Sequence, residues 1–457
     1  MRNTLTLSAS LLTLLLGTTL PAQSQSAYPA TLVGHALLPA TTFVPAPKDA
    51  PTSLQTSGKY TTPDGRREDR LAVIPGTSFL SAKEAPRATG ISLPFQGQPI
   101  QGFSGIKSMK DGSYWVLTDN GFGSKANSAD AMLMFHQVKP DWKSGKVQRL
   151  QTIFLHDPDK KVPFLIVNEG TTKRYLTGAD LDIESMQIIG EHVWFGDELG
   201  PYLIKATKQG KVLAVYNTMI DGKLARSPDH YSVTTPATPG NFNTPIRRSR
   251  GYEGMAASKD GQYLYPLLEG PLWNEANKQW ETKDGREYLR IMEFNVAKGE
   301  WTGRSWKFLL EQNGNNIGDF NMVDADTGLI IERDNGEGVE RTACNGPARP
   351  DCQNVPAKFK RVYKISLKDA DADGFVRKIG YIDLLDINDP KGVAKVGGEN
   401  GKFTFPFVTI EDVDVVDAEH IVVANDNNLP YSMGRQLGRN DDNEFILLHV
   451  PEFLNAR

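Results

Sequence analysis

Carboxylates recur in this 457-residue chain at matched spacing, and they are the residues best placed to do chemistry. Five segments open on an acid or a serine beside an apolar or small residue: Phe103-Ser104, Ile183-Glu184, Tyr252-Glu253, Gly318-Asp319 and Ile410-Glu411. Each is followed by a turn and an apolar run ending in acids or amides: Asp119-Asn120, Asp197-Glu198, Glu269, Glu332-Arg333-Asp334 and Asp426-Asn427. The separations from opening to closing residue are 15, 13, 16, 13 and 15. Carboxylates brought face to face resist joint ionisation, so such a set calls for a compensating hard cation. Calcium, with six to eight oxygen ligands, suits it best. Glu184, Glu253, Asp319 and Glu411 are the candidate catalytic groups, one of them acting as general base. Asp119, Asn120, Asp197, Glu198, Glu269, Glu332, Asp334, Asp426 and Asn427 are the candidate metal ligands. The chemistry implied is metal-assisted hydrolysis, in which a cation polarises an oxygen of the substrate and activates water.

Other residue types contribute less. Arg250 and Arg333 have the fork geometry that grips an anion, although Arg250 could simply solvate a loop and Arg333 also suits a structural ion pair, and Ser104 stands where the other repeats carry an acid. These three are the candidate substrate contacts. None of the seven histidines falls in an acidic cluster, and Ser104 lacks the Gly-x-Ser-x-Gly elbow because position 106 is Ile. Asp369-Ala-Asp-Ala-Asp-Gly374 matches the first half of a calcium loop, but the twelfth position is Gly380. An EF-hand is therefore not supported, leaving a looser calcium loop or a plain acidic turn.

The elements that must position these groups read as strands. Short β-branched and aromatic runs alternate with Gly, Asn-Gly and Asp-Gly turns, and helical periodicity is scarce. A strand, a tight turn and a second strand fill the 13–16 residues between paired acids, so both ends of each hairpin lie at one sheet edge. Successive repeats begin 80, 69, 66 and 92 residues apart, room for four strands each. An all-β β-propeller with a central acidic channel is expected. Six blades are favoured, with five or seven open, and an irregular β-sandwich is the rival. The run Glu444–Val450 could pair with an N-terminal strand and close the ring.

Residues 1–26 read as a signal peptide, with Arg2 before an apolar run from Leu5 to Leu20. That run is shorter than the ~20 residues a membrane span needs, and no cysteine follows it as a lipoprotein would require. Residues 27–62 read as an extended lead-in and 63–457 as the propeller domain. A secreted or periplasmic location follows, in which Cys344 and Cys352, the two cysteines, are expected to form a disulfide. The formal net charge of −4 and the lack of a basic stretch argue against nucleic acid as a partner. No later segment is apolar enough to span a membrane, and a monomer is expected.

Gly102-Phe-Ser-Gly-Ile, Thr118-Asp-Asn-Gly, Asp182-Ile-Glu-Ser, Arg250-Gly-Tyr-Glu-Gly-Met, Glu332-Arg-Asp-Asn and Glu411-Asp-Val, in this order, resemble the phytase-like family described by an esterase-like activity of phytase. The resemblance runs from about Ala88 to the C-terminus. It implies a propeller, recurrent Asp and Glu residues, and hydrolysis of a small anionic phosphoester. A non-catalytic propeller that binds a ligand or partner, and a calcium-dependent lactonase or esterase, are the alternatives.

Overall fold

The first four repeats each fold as a four-stranded antiparallel unit, because their apolar runs have the alternation and the turn residues of a meander, and the fifth supplies three such strands. The structure, a computed structural model, describes residues 25–62, 65–80, 86–234 and 244–457. The first sheet is formed by Phe103–Ser108, Tyr114–Thr118, Met134–Asp141 and Lys146–Phe154. The second comprises Ile183–Ile189, His192–Asp197, Tyr202–Thr207 and Val212–Asn217. Tyr252–Ala257, Tyr263–Leu268, Arg286–Asn295 and Glu300–Leu309 make the third. Asn316–Met322, Thr327–Arg333, Lys360–Ser366 and Arg377–Asp383 make the fourth. The fifth joins Asp412–Val415, His420–Ala424 and Asn443–His449 to Thr31–Leu38, which pairs antiparallel with 443–449.

The first strand of every sheet neighbours the first strand of the next, and that of the fifth returns to the first. Apolar side chains fill the wedge between each successive pair of sheets. Leu117, Phe135, Met186 and Phe195 pack between the first and second, and Trp194, Tyr252 and Phe294 between the second and third. Leu267, Phe320 and Tyr363 lie between the third and fourth, and Leu329, Val413 and Ile446 between the fourth and fifth. Phe103, Val116, Val422 and Phe445 complete the cycle. The rival sandwich has no place for this cyclic order; the architecture is that of a β-propeller.

The four-stranded unit recurs five times among the described residues, the first and fifth units being joined into one larger sheet through Thr31–Leu38, and five is one of the counts open beside the favoured six. Four strand-like stretches of the sequence, Asp69–Phe79, Ala88–Leu93, Arg361–Ser366 and Ile379–Leu385, could have supplied a further blade; in the structure Ile74–Thr77 and Ala88–Leu93 pair with each other as a peripheral hairpin, and the other two belong to the fourth sheet. The segment 27–62 is more than a lead-in. Its strand Thr31–Leu38 buries Leu32, Ala36 and Leu38 and supplies the outermost strand of the fifth sheet. N-terminal sequence thereby latches onto C-terminal sequence, as the pairing proposed for 444–450 requires.

Cys344 and Cys352 are joined in a disulfide. The peptide around it is tied to the N-terminal hairpin by Arg87, whose guanidinium donates to the Pro350 and Cys352 carbonyls and to Gln353. The acidic run 369–374 is a turn at the outer edge of the fourth sheet. Asp371 accepts from the Asp373 and Phe375 amides and from Lys283, and Asp369 accepts from Arg377. These bonds support the plain acidic turn. No helix of the described residues is long and apolar enough to cross a membrane. The signal-peptide reading falls on residues 1–24, which lie outside the described residues, and on the two that follow.

Candidate active site

A recurring irregularity of the inner strands sets the side chains of the site. In the first to fourth sheets the pairing of the first two strands shifts register near its start, between Val116 and Thr118, Ile183 and Ser185, Tyr252 and Gly254, and Ile317 and Phe320. An extra residue on one strand re-aims its side chain. Matching the pairs across the sheets makes Ser104, Glu184, Glu253, Gly318 and Glu411 equivalent. At the ends of the second strands Asp119, Glu198, Glu269, Arg333 and Asp426 form another equivalent set, each one residue beyond or close to the partner of the first strand's opening residue. Two five-membered rings of positions therefore face one end of the molecule.

They meet in a cavity of about 290 Å³ lined from all five sheets. Eight carboxylates border it: Asp119, Asp182, Glu184, Glu198, Glu253, Glu269, Glu411 and Asp426. Against them stand two guanidiniums, those of Arg250 and Arg333. No histidine is among the lining residues. The eight acids are all less than a tenth exposed except Asp119, which is half-buried.

The electrostatics follow from this crowding. Burial, reinforced by neighbouring carboxylates, pushes Asp119, Glu184, Glu198 and Glu253 well above the usual carboxylate range. Burial and the charge of Glu411 push Asp426 up to about 8. Arg333, buried in the second ring, opposes the trend. Its Nη2 donates to Glu411 Oε1 at 2.6 Å and lies 3.9 Å from Glu269 Oε1. Arg250 donates to the other oxygen of Glu269 and keeps about a third of its side chain exposed. Ser104 Oγ donates to Glu411 Oε2 at 3.2 Å. Glu411 is thus clamped on both oxygens.

Several expected site residues serve elsewhere. Asp319 falls one position beyond the ring, where Gly318 stands. A Cβ on Gly318 would lie 2.3 Å from the Ile410 carbonyl oxygen, so no acid fits there. Asp319 instead accepts from the amides of Phe320 (2.7 Å) and Val413 (3.2 Å), stapling adjacent inner strands. Asp197 accepts from the amides of Asp182 and Gly200. Glu332 is consumed by the Glu311 amide, Asn315 and Lys378. Asp334 caps the amides of Gly336, Lys358 and Phe359 and pairs with Lys360. Asn427 accepts from the Gly102 amide. None of these five lines the cavity, and neither does fully buried Ser104. Asn120 does line it, but its amide oxygen caps Phe122 and Gly123 while its Nδ2 donates to Asp182.

Asp182 is the main residue missed among the candidates. It lies two residues before Glu184, on the approach to the inner strand, and an acid at that position has no counterpart in the other repeats. Nothing in the repeat pattern marks it. Two groups of carboxylates bring oxygens within 4.8 Å of one another: Asp182, Glu184 and Glu198, and Glu198, Glu253 and Glu269. All donors are hard oxygens, a set that fits calcium, magnesium or manganese and disfavours softer ions. Glu198 Oε1 is buried without a hydrogen-bond partner. An orphaned carboxylate oxygen at the shared member of both groups is what a missing cation would leave.

A family model described as phytase-like, esterase-like activity of phytase, matches residues 98–429. The chain belongs to the phytase-like family. This phytase-like chain is also 29% identical over 113 residues to an uncharacterized secreted protein of Arthroderma benhamiae. The match takes in 23% of the phytase-like chain and 22% of that protein's length. Among solved structures, a luciferin-regenerating enzyme gives a TM-score of 0.34 at 9% identity, covering 76% of this chain and 91% of its own. A periplasmic gluconolactonase of Pseudomonas aeruginosa gives 0.30 at 11% identity, covering 83% and 99%. Likenesses at such scores decide nothing about the activity of the phytase-like chain.

Proposed function

We propose that this protein is an exported, metal-dependent hydrolase of small phosphoesters, working at an acidic mouth on the axis of a five-bladed propeller. The carrying observation is the convergence of eight carboxylates and two guanidiniums from all five sheets on one cavity. Family membership supports ester hydrolysis. A phosphoester is anionic, and a cavity with this excess of acids would repel it unless cations intervene. Asp182, Glu184, Glu198, Glu253 and Glu269 would hold the metal, calcium by preference. When bound, it would supply Lewis-acid stabilisation of the phosphoryl oxygens and a more acidic water.

The chain's own groups have distinct tasks. Glu411, oriented by Arg333 and Ser104, takes the proton of the attacking water. A base fixed by two partners loses little entropy at the moment of transfer. Arg250, exposed at the rim, and Arg333, deeper, bind phosphate oxygens in the fork geometry. The N-terminal apolar run, the disulfide and the secreted relative support export, and the protein acts as a monomer.

The test is turnover of phosphomonoesters, phosphodiesters, phytate and lactones by the purified chain, with and without chelator, alongside elemental analysis. Chelator-sensitive phosphoester cleavage is expected. Cleavage of lactones alone would assign the site to the lactonase chemistry, and bound metal without any hydrolysis would leave a ligand-binding propeller.

A further inference from the structure

We infer that the cavity binds two divalent cations side by side, with Glu198 bridging them. The inference rests on the metal-binding part of the proposed function and adds the number of ions and the ligand they share. The two groups of close carboxylates have only Glu198 in common. One arm, Asp182 and Glu184, belongs to the second sheet; the other, Glu253 and Glu269, belongs to the third. Glu198 comes from the second sheet, and its carboxylate brings an oxygen within 4.8 Å of those of each arm.

The hydrogen bonding points the same way. Asp182 is held by Asn120, and Glu269 by Arg250. Glu184, Glu198 and Glu253 line the cavity with them, each less than a tenth exposed. Glu198 Oε1 is buried and accepts no hydrogen bond, the side chain's remaining contact being with the carboxyl of Glu269. A buried carboxylate without a donor is costly, and one ion on one arm would leave the other arm's acids facing each other. Two ions sharing Glu198 satisfy both arms. Paired ions a few ångströms apart are also the arrangement that clamps the attacking and leaving oxygens of a phosphoryl group.

Ion counting tests this without reference to turnover. The chelator-stripped full chain is titrated with calcium and with manganese by calorimetry, and bound metal per chain is measured by elemental analysis. Two ions per wild-type chain are expected, one after Glu184→Gln, one after Glu269→Gln, and at least tenfold weaker binding of both after Glu198→Gln. Circular dichroism checks the fold of each variant. Should Glu198→Gln fail to fold, Glu198→Asp, whose shorter arm cannot reach both ions, is read in its place with the same expectation. A wild-type stoichiometry of one or none overturns the inference, as does a Glu198 variant that loses one ion and keeps the other at full affinity. Two ions with no phosphoester cleaved would sink the proposed reaction and leave the centre standing. One ion with chelator-sensitive cleavage would do the reverse.

Discussion

Replacing Arg333 by Met gives the sharpest test of how the acidic cavity is held together. Met keeps much of the volume and removes the only buried cation of the two rings. The Arg333 charge lies 2.6 Å from one Glu411 oxygen and 3.9 Å from one of Glu269. At an effective dielectric near 20, unit charges ~4 Å apart interact by about 4 kcal/mol. Part of this is offset by the cost of burying the guanidinium, and breaking one side of a buried pair costs about 3–5 kcal/mol overall. Glu411 has an escape, because it can take a proton. Burial already pushes its carboxyl up, and Arg333 holds it down; without Arg333 it rises further. A carboxyl whose folded pKa lies above its unfolded value contributes stability below the unfolded value and loses it as pH rises through the folded one. The deficit of Arg333→Met should therefore be full at pH 8 and shrink toward pH 5. Urea unfolding in chelator at both pH values measures it, and adding Glu411→Gln to the same chain should recover at least half. A loss below about 1 kcal/mol, or one equal at both pH values, would refute the buried-pair account.

Glu253→Gln and Glu411→Gln should each lower phosphoester turnover by about 10²-fold or more while circular dichroism stays that of the wild type. In the metal-free protein Asp197 is pushed up to about 7 and Asp426 to about 8, both above the unfolded value near 3.9. Its melting temperature should accordingly fall from pH 5 to pH 8, and calcium, binding where Glu184, Glu198 and Glu253 are also pushed well up, should raise it at pH 8 by mass action; a melting temperature that rises with pH would count against the crowding. Removing residues through Leu38 strips the outer strand from the fifth sheet and exposes the edge of 443–449, so the truncated chain should aggregate or lose its cooperative melt. Cys344→Ser with Cys352→Ser opens a small loop and should cost about 2–3 kcal/mol by urea unfolding, with the acidic cavity and its metal binding unchanged.

What the sequence made legible is what strand geometry fixes locally. A hairpin returns its two ends to one sheet edge whatever its surroundings, so the pairing of Glu253 with Glu269, and of Glu184 with the Asp197-Glu198 cluster, could be read from spacing. Within a pair, the acid that reaches the cavity depends on register. At Asp197-Glu198 the second acid faces inward and the first caps amides. At Glu332-Arg333 the same rule puts the arginine inward and spends the glutamate on Lys378. Adjacent residues on a strand point to opposite faces, and a one-residue error exchanges them. The misplacement of Asp319 has the same origin. The number of sheets was less legible, because strand-like stretches such as Ala88–Leu93 read as strands of a further blade, whereas a short strand can equally close a peripheral hairpin.

The fourth sheet explains why the rings are not simply acidic all round. At both ring positions it carries a residue of a different kind, Gly318 and Arg333. Gly318 follows from backbone crowding against Ile410, while Arg333 places a fixed positive charge opposite the acids of the second and third sheets. Five acids at each position would leave nothing to orient Glu411 and nothing to draw an anion inward. With Arg333 in place the cavity has an acidic side, where the close oxygen groups of Asp182, Glu184, Glu198, Glu253 and Glu269 lie, and a side where a carboxylate is clamped beside a guanidinium. The proposed hydrolysis of a phosphoester would use both: cations to accept its charge and a base beside a positive group to activate water. If Arg333 served stability alone, Arg333→Lys, which keeps the charge and loses the fork, would retain full turnover. A rise in KM of tenfold or more with the fold intact would show that the fork itself meets the substrate.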